Sequence, residues 1–193
     1  LVTGASGFLG SHIVNHFAQQ GGQVCGMVRK LDGLLPVQNV QWRALELPSN
    51  HLATILTEEM PDVIVHTAAS AHVNASLIYP AQDFTQSVVV WNNLLESVRL
   101  IGLRPKIIFL SSAAVYGNPQ QLPVAESAPI HPISPYGYHK HMCEEMAEYY
   151  VKLYGFNITS LRIFSAYGTG LFRQVLWDIV QKAQRNPVVE MNG

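Results

Sequence analysis

Charge is scarce in this chain: Asp, Glu, Lys and Arg make up 13% of 193 residues, and the formal net charge is −1. A surface without an excess of one sign gives no electrostatic footprint for nucleic acid or an anionic membrane, so neither is an expected partner. Cysteine is nearly absent. The two present, Cys25 and Cys143, fall in an expected core strand and core helix, which argues against a disulfide framework or a thiolate metal site. Eight histidines are scattered without ligand spacing, and no metal is expected. No apolar run approaches ~18 residues and no leader peptide is evident, which makes a cytoplasmic location the default expectation. What the chain does have is apolar residues, 48% of the total, enough for one domain with a sizeable core.

Those apolar residues come in alternating short runs and periodic stretches, the pattern of a doubly wound parallel sheet with helices on both faces. Strands are expected at Leu1–Val2, Gln23–Val28, Val40–Leu47, Asp62–His66, Lys106–Ser111 and Asn157–Phe164. Ser49 or Asn50 is placed to cap a short helix ending at Glu59. Residues 81–101 are expected to form one long helix, with Phe84, Val88, Trp91, Leu95 and Val98 on one face. Five prolines between 117 and 135 exclude regular structure there. Helices are then expected over 134–154 and about 171–185, the second ended by Pro187.

The stretch LVTGASGFLG at 1–10 runs from a strand through glycines 4, 7 and 10 into the helical pattern SHIVNHFAQQG. A dinucleotide pyrophosphate needs such a turn, because only a backbone without side chains lets N–H groups and a helix N-terminus approach it closely. Gly4 makes the tight turn, Gly7 admits the phosphates and Gly10 lets helix and strand pack. An ordinary strand-to-helix turn is the competing reading of three glycines alone. The second strand ends in Val28-Arg29-Lys30. NAD-binding versions of such a sheet place a carboxylate there for the ribose hydroxyl; two cations suit a 2′-phosphate instead. NADP is therefore the favoured cofactor, with NAD left open.

Tyr136 and Lys140 stand one turn apart at the start of an expected helix. A phenol titrates near ~10, so reaching ~7 for a proton shuttle takes about 4 kcal/mol of differential interaction. The lysine and a nicotinamide cation together are candidates to supply it. Ser111 and Ser112 lie where the fifth strand ends, on the side where open parallel sheets bind ligands. There the Ser112 hydroxyl is placed to bond the same substrate oxygen as Tyr136.

Five segments in order, TGASGFLG (3–10), DVIVHTAA (62–69), SSAAVYG (111–117), Tyr136-Gly-Tyr-His-Lys140 and LRIFSAYGTG (161–170), resemble the extended short-chain dehydrogenase/reductase family. Within it, the resemblance is to the nucleotide-sugar epimerases, dehydratases and reductases. It implies an NAD(P)-binding Rossmann domain over 1–193, with Ser112, Tyr136 and Lys140 in the catalytic roles. It also implies cofactor contacts from Gly4, Ser6, Gly7, Phe8, Leu9, Gly10, Arg29, Lys30, Ala68, Ala69, Ser111, Tyr136, Lys140 and Phe164. The chain begins without Met and stops just after VVEMNG, so a longer protein with a small C-terminal substrate domain beyond these residues is expected.

Departures from the family pattern narrow the expectation. Ala113 and Ala114 stand where the sugar dehydratases carry Asp-Glu; neither alanine moves a proton, which argues against 4,6-dehydration. Ser87 and Ser165 stand where the family often has Asn, and Glu46 where an Asp near the adenine is expected. The expected activity is a nucleotide-sugar epimerase working by transient oxidation of a sugar hydroxyl. The alternatives are an NADPH-dependent 4-keto-sugar reductase and a non-catalytic NADP-binding regulator. A homodimer through 81–101 and 134–154 is expected, and Arg173 and Gln174 are candidates to reach sugar or phosphate.

Overall fold

A computed structural model describes residues 1–171 and 175–185. Six strands, β1 (Val2–Thr3), β2 (Val24–Val28), β3 (Val40–Ala44), β4 (Val63–His66), β5 (Lys106–Ser112) and β6 (Asn157–Ile163), form one parallel sheet in the order β3-β2-β1-β4-β5-β6. The order reverses at β1, and the crevice beside β1 and β4 is where such sheets bind ligands. The elements divide into two compact units, Leu1–Ile163 and Phe164–Gly193. The second contains helix Val175–Arg185, while Arg173, Gln174 and Pro187 lie outside the described residues.

In the first unit each face of the sheet buries its own core. Under α1 (Phe8–Gln19) lie Val2, Val24, Val28 and Val65 with Val14 and Ala18. On the other face, under α2 (Leu52–Glu59) and α6 (Pro135–Tyr154), lie Met27, Ile64, Ile107 and Phe109. Cys25 and Cys143 are buried in this second core as free thiols.

The expected helix 81–101 is not continuous. Pro80–Phe84 (α4) passes through a π-helical turn, Thr85–Val89, into Val90–Leu100 (α5). A π turn carries one extra residue, which rotates the helix before it relative to the helix after it. Val88, Trp91, Leu95 and Val98 are buried as expected, but Phe84 is turned outward and Asp83 takes the inward position. A further short helix, α3 (Val73–Ile78), stands where the sequence pattern predicts no element, and a 3-10 turn, Ala113–Tyr116, follows β5. Ser49 does not cap α2, which starts after His51; its hydroxyl accepts the His51 N–H instead, at 3.2 Å.

His66 ends β4 with its ring inside the second core, beside Trp91 and Phe109. Its Nδ1 meets the Thr3 hydroxyl at 2.9 Å. Burial, and then the Lys140 charge, pushes the imidazole down to about 3. The unfolded chain therefore takes up a proton below about 6.5 that the folded chain refuses, so folding is penalised as pH falls from there towards 3. Each pH unit in that window costs about 1.4 kcal/mol. Urea unfolding of the parent and of His66→Phe should show the parent losing that much more per unit on acidification; parallel profiles would contradict the assignment.

Candidate active site

The glycine turn between β1 and α1 is tied down from below. Thr67 donates its hydroxyl to the carbonyls of Thr3 and Gly4, at 2.6 and 3.2 Å, and the Thr3 hydroxyl accepts the Ala68 N–H at 3.2 Å. Gly4 adopts φ +65°, and a Cβ there would stand 2.8 Å from the Ala68 nitrogen. A Cβ on Gly10 would stand 2.3 Å from the Gly4 carbonyl oxygen. Gly7 caps α1 without any side-chain hydrogen bond to its first turn. The result is a side-chain-free cradle at a helix N-terminus, which fits the pyrophosphate of a dinucleotide. Ser6 and Gly7 are exposed at its lip, Phe8, Leu9, Ala68 and Ala69 are half-buried around it, and Arg29 and Lys30 are exposed just past β2.

The reactive groups meet at the other side of the crevice. Pro135 opens α6, and the Ser134 hydroxyl caps it by accepting the Gly137 N–H at 3.2 Å. Gly137 is there for a close approach: a Cβ would stand 2.6 Å from the Ala114 carbonyl, so α6 rides directly on the turn after β5. That approach sets Tyr136 near Ser112, which opposes the rise that burial brings to the phenol, and the Ser112 hydroxyl accepts the Ala114 N–H at 3.1 Å. Lys140 is buried, donates to the Leu110 carbonyl at 2.8 Å, and holds its ammonium 5.7 Å from the Tyr136 ring centre. Ser111 is buried as well, and its hydroxyl has no partner among the described residues. Phe164 opens the second compact unit.

Burial raises the Tyr136 phenol, Ser112 opposes that, and the Asp83 charge adds to it. The Lys140 ammonium is directed at the Leu110 carbonyl, 2.8 Å away, with the Tyr136 ring centre at 5.7 Å. Burial also lowers Lys140 itself to about 8, against the charges of Cys143, Asp83 and Glu144. The chain's own residues thus assemble a phenol, a hydroxyl and an amine without generating a phenolate at neutral pH.

Two arrangements around the site go beyond the sequence expectation. The His139 ring lies 2.5 Å from Asp83, both buried, where the sequence suggests only a surface or packing histidine. Arg162 on β6 forks onto Glu144, at 2.8 and 3.0 Å, and donates to the Tyr116 hydroxyl at 2.7 Å and the Glu126 carbonyl at 3.0 Å. It pins the proline-rich loop to α6, and Tyr116 is held in that network. No spacing along one segment signals either, since each joins residues distant in the chain.

Residues 1–192 match the NAD dependent epimerase/dehydratase family. The chain belongs to that family. Within it the chain falls in the extended short-chain dehydrogenase/reductase group of nucleotide-sugar epimerases. It is 34% identical over 170 residues to a UDP-glucose 4-epimerase of Halalkalibacterium halodurans, covering 87% of this chain and 51% of that protein. Among solved structures it resembles the Thermus thermophilus UDP-glucose 4-epimerase complex with NAD, with TM-score 0.84 and 30% identity over 95% of this chain and 61% of that one. The Brucella ovis UDP-glucose 4-epimerase in complex with NAD gives TM-score 0.80 and 32% identity over 86% and 52%. The chain thus spans about half the length of the curated epimerases it matches. Among the described residues no helix is long and apolar enough to cross a membrane.

Proposed function

We propose that this chain is the cofactor-binding and catalytic part of a nucleotide-sugar epimerase that works by transient oxidation of a sugar hydroxyl. The observation that carries the reading is the gathering of Tyr136, Ser112 and a buried Lys140 where α6 meets the carboxyl end of β5, with the Lys140 ammonium 5.7 Å from the Tyr136 ring centre. A bound nicotinamide supplies the two-electron acceptor and donor for the sugar carbon. Tyr136 takes the hydroxyl proton as the carbon is oxidised and gives it back when the keto sugar has turned over. Ser112 bonds the same oxygen and holds it in line. Lys140 is the cation available to the phenolate once it leaves the Leu110 carbonyl, and it is also the group to hold the nicotinamide ribose.

NADP remains the favoured cofactor because Arg29 and Lys30 are exposed where a 2′-phosphate would need them. The same pair supports the second reading, an NADPH-dependent 4-keto-sugar reductase. Exposed Phe84 on α4 and Met142 and Tyr149 on α6 support a homodimer through these helices. The test is incubation of the protein with a panel of sugar nucleotides, UDP-glucose first, with NADP or NAD. Epimerisation without net change in reduced nicotinamide is expected, faster with NADP. Stoichiometric consumption of NADPH would select the reductase, and no turnover with bound cofactor would select a regulator.

A further inference from the structure

The start of α6 is fastened at two points that face the reactive groups. The Tyr136 N–H donates to Ser76 on α3 at 3.1 Å, and His139, one turn on, meets the Asp83 carboxylate on α4. Asp83 is 3% exposed, and its second oxygen has no partner among the described residues. Phe84 packs edge-on against the His139 ring, 5.4 Å between centres, and closes the pair from outside. A carboxylate so enclosed is not offset by water, so its charge is felt by its neighbours. The π turn after Phe84 is what makes this arrangement, since it puts Asp83 rather than Phe84 on the inward face.

We propose that Asp83 and His139 are a positioning pair, which holds the first turn of α6 in place and sets the net charge facing Tyr136 and Lys140. This rests on the reading of Tyr136 and Lys140 given above. The ionisable groups around the pair come from few elements. Helix α6 contributes Tyr136, Lys140, Cys143 and Glu144; α3 contributes none; β4 contributes His66, which is held neutral. Asp83 raises both the phenol and the ammonium. His139 holds that carboxylate in place through its ring nitrogen, 2.5 Å from the Asp83 oxygen.

The test reads the phenol directly, without substrate or cofactor. Tyrosinate absorbance is followed against pH for the parent, Asp83→Asn and His139→Gln, each minus the same protein carrying Tyr136→Phe. The Tyr136 midpoint is expected to move to lower pH in Asp83→Asn and to stay near the parent's in His139→Gln, which keeps the carboxylate. Asparagine keeps the shape of Asp83 without its charge, so a pair that served only packing would leave the Asp83→Asn midpoint at the parent's. That result, or a fall as large in His139→Gln, overturns the proposal. In the active enzyme the acid limb of kcat/KM should follow the phenol. A limb that stays put while the phenol moves would count against Tyr136 as the proton carrier and leave the pair's action intact.

Discussion

Tyr136→Phe should lower kcat by about 10³-fold, the scale of removing a positioned acid–base group and equivalent to about 4 kcal/mol of transition-state stabilisation. The substitution removes one oxygen and nothing else. It leaves the backbone anchor to Ser76 and the close approach of Gly137 to Ala114 untouched. Fold stability and dinucleotide affinity should therefore stay near the parent's. Steady-state rates, with dinucleotide binding measured separately, check this. A variant that binds cofactor and turns over at the parental rate would exclude Tyr136 as the proton carrier.

Gly10→Ala should destabilise the chain by about 3 kcal/mol or more, and dinucleotide binding should be lost with it. The added methyl would stand 2.3 Å from the Gly4 oxygen and 2.9 Å from the Ala5 Cα, and both obstacles are backbone. No rotamer relieves such a contact, so α1 would have to move off β1, against the ties from Thr67 to the Thr3 and Gly4 carbonyls. Gly7→Ala is the comparison. Its methyl would lie 3.2 Å from the Gly4 oxygen, a contact a small shift relieves. It should fold nearly as the parent does while binding dinucleotide more weakly. Urea unfolding and a nucleotide titration of both variants separate the two roles; equal stabilities would contradict the packing role of Gly10.

Much of this geometry is legible in the residues because it depends on local chemistry. Apolar runs mark the inner strands β2, β4 and β5, since a parallel strand buried on both faces is apolar along most of its length, while the edge strands β3 and β6 mix polar residues with apolar ones. Strand ends shift by a residue or a few, as at β3, which stops at Ala44 rather than Leu47. The glycine turn is readable because a Cβ at Gly4 or Gly10 has nowhere to go. Ser134-Pro135 marks the start of α6 for the same kind of local reason, a cap and a preset φ.

The features hidden from the sequence depend on contacts between segments distant along the chain. The π turn cannot be seen in TQSVV, because the extra residue is tolerated through packing of Asp83 against His139, 56 positions away. The inward face expected for Phe84 fails for that reason alone. Helix α3 is six residues with two β-branched members, too short to show a period, and Ser76 within it is held by Tyr136 from another helix. The Lys140 ammonium sits on the Leu110 carbonyl, a partner on β5 that no spacing along α6 predicts.

The most direct measurement tracks a deuterium label. A sugar nucleotide deuterated at the carbon to be inverted is incubated with the protein and its dinucleotide in ordinary water, and the product is read by mass spectrometry and NMR. Retention of the deuterium at the inverted carbon is the predicted result, since Tyr136, Ser112 and Lys140 exchange only the oxygen-bound proton with solvent. An inverted product that has lost its deuterium to water would mean that the carbon is deprotonated rather than oxidised, and would contradict the account.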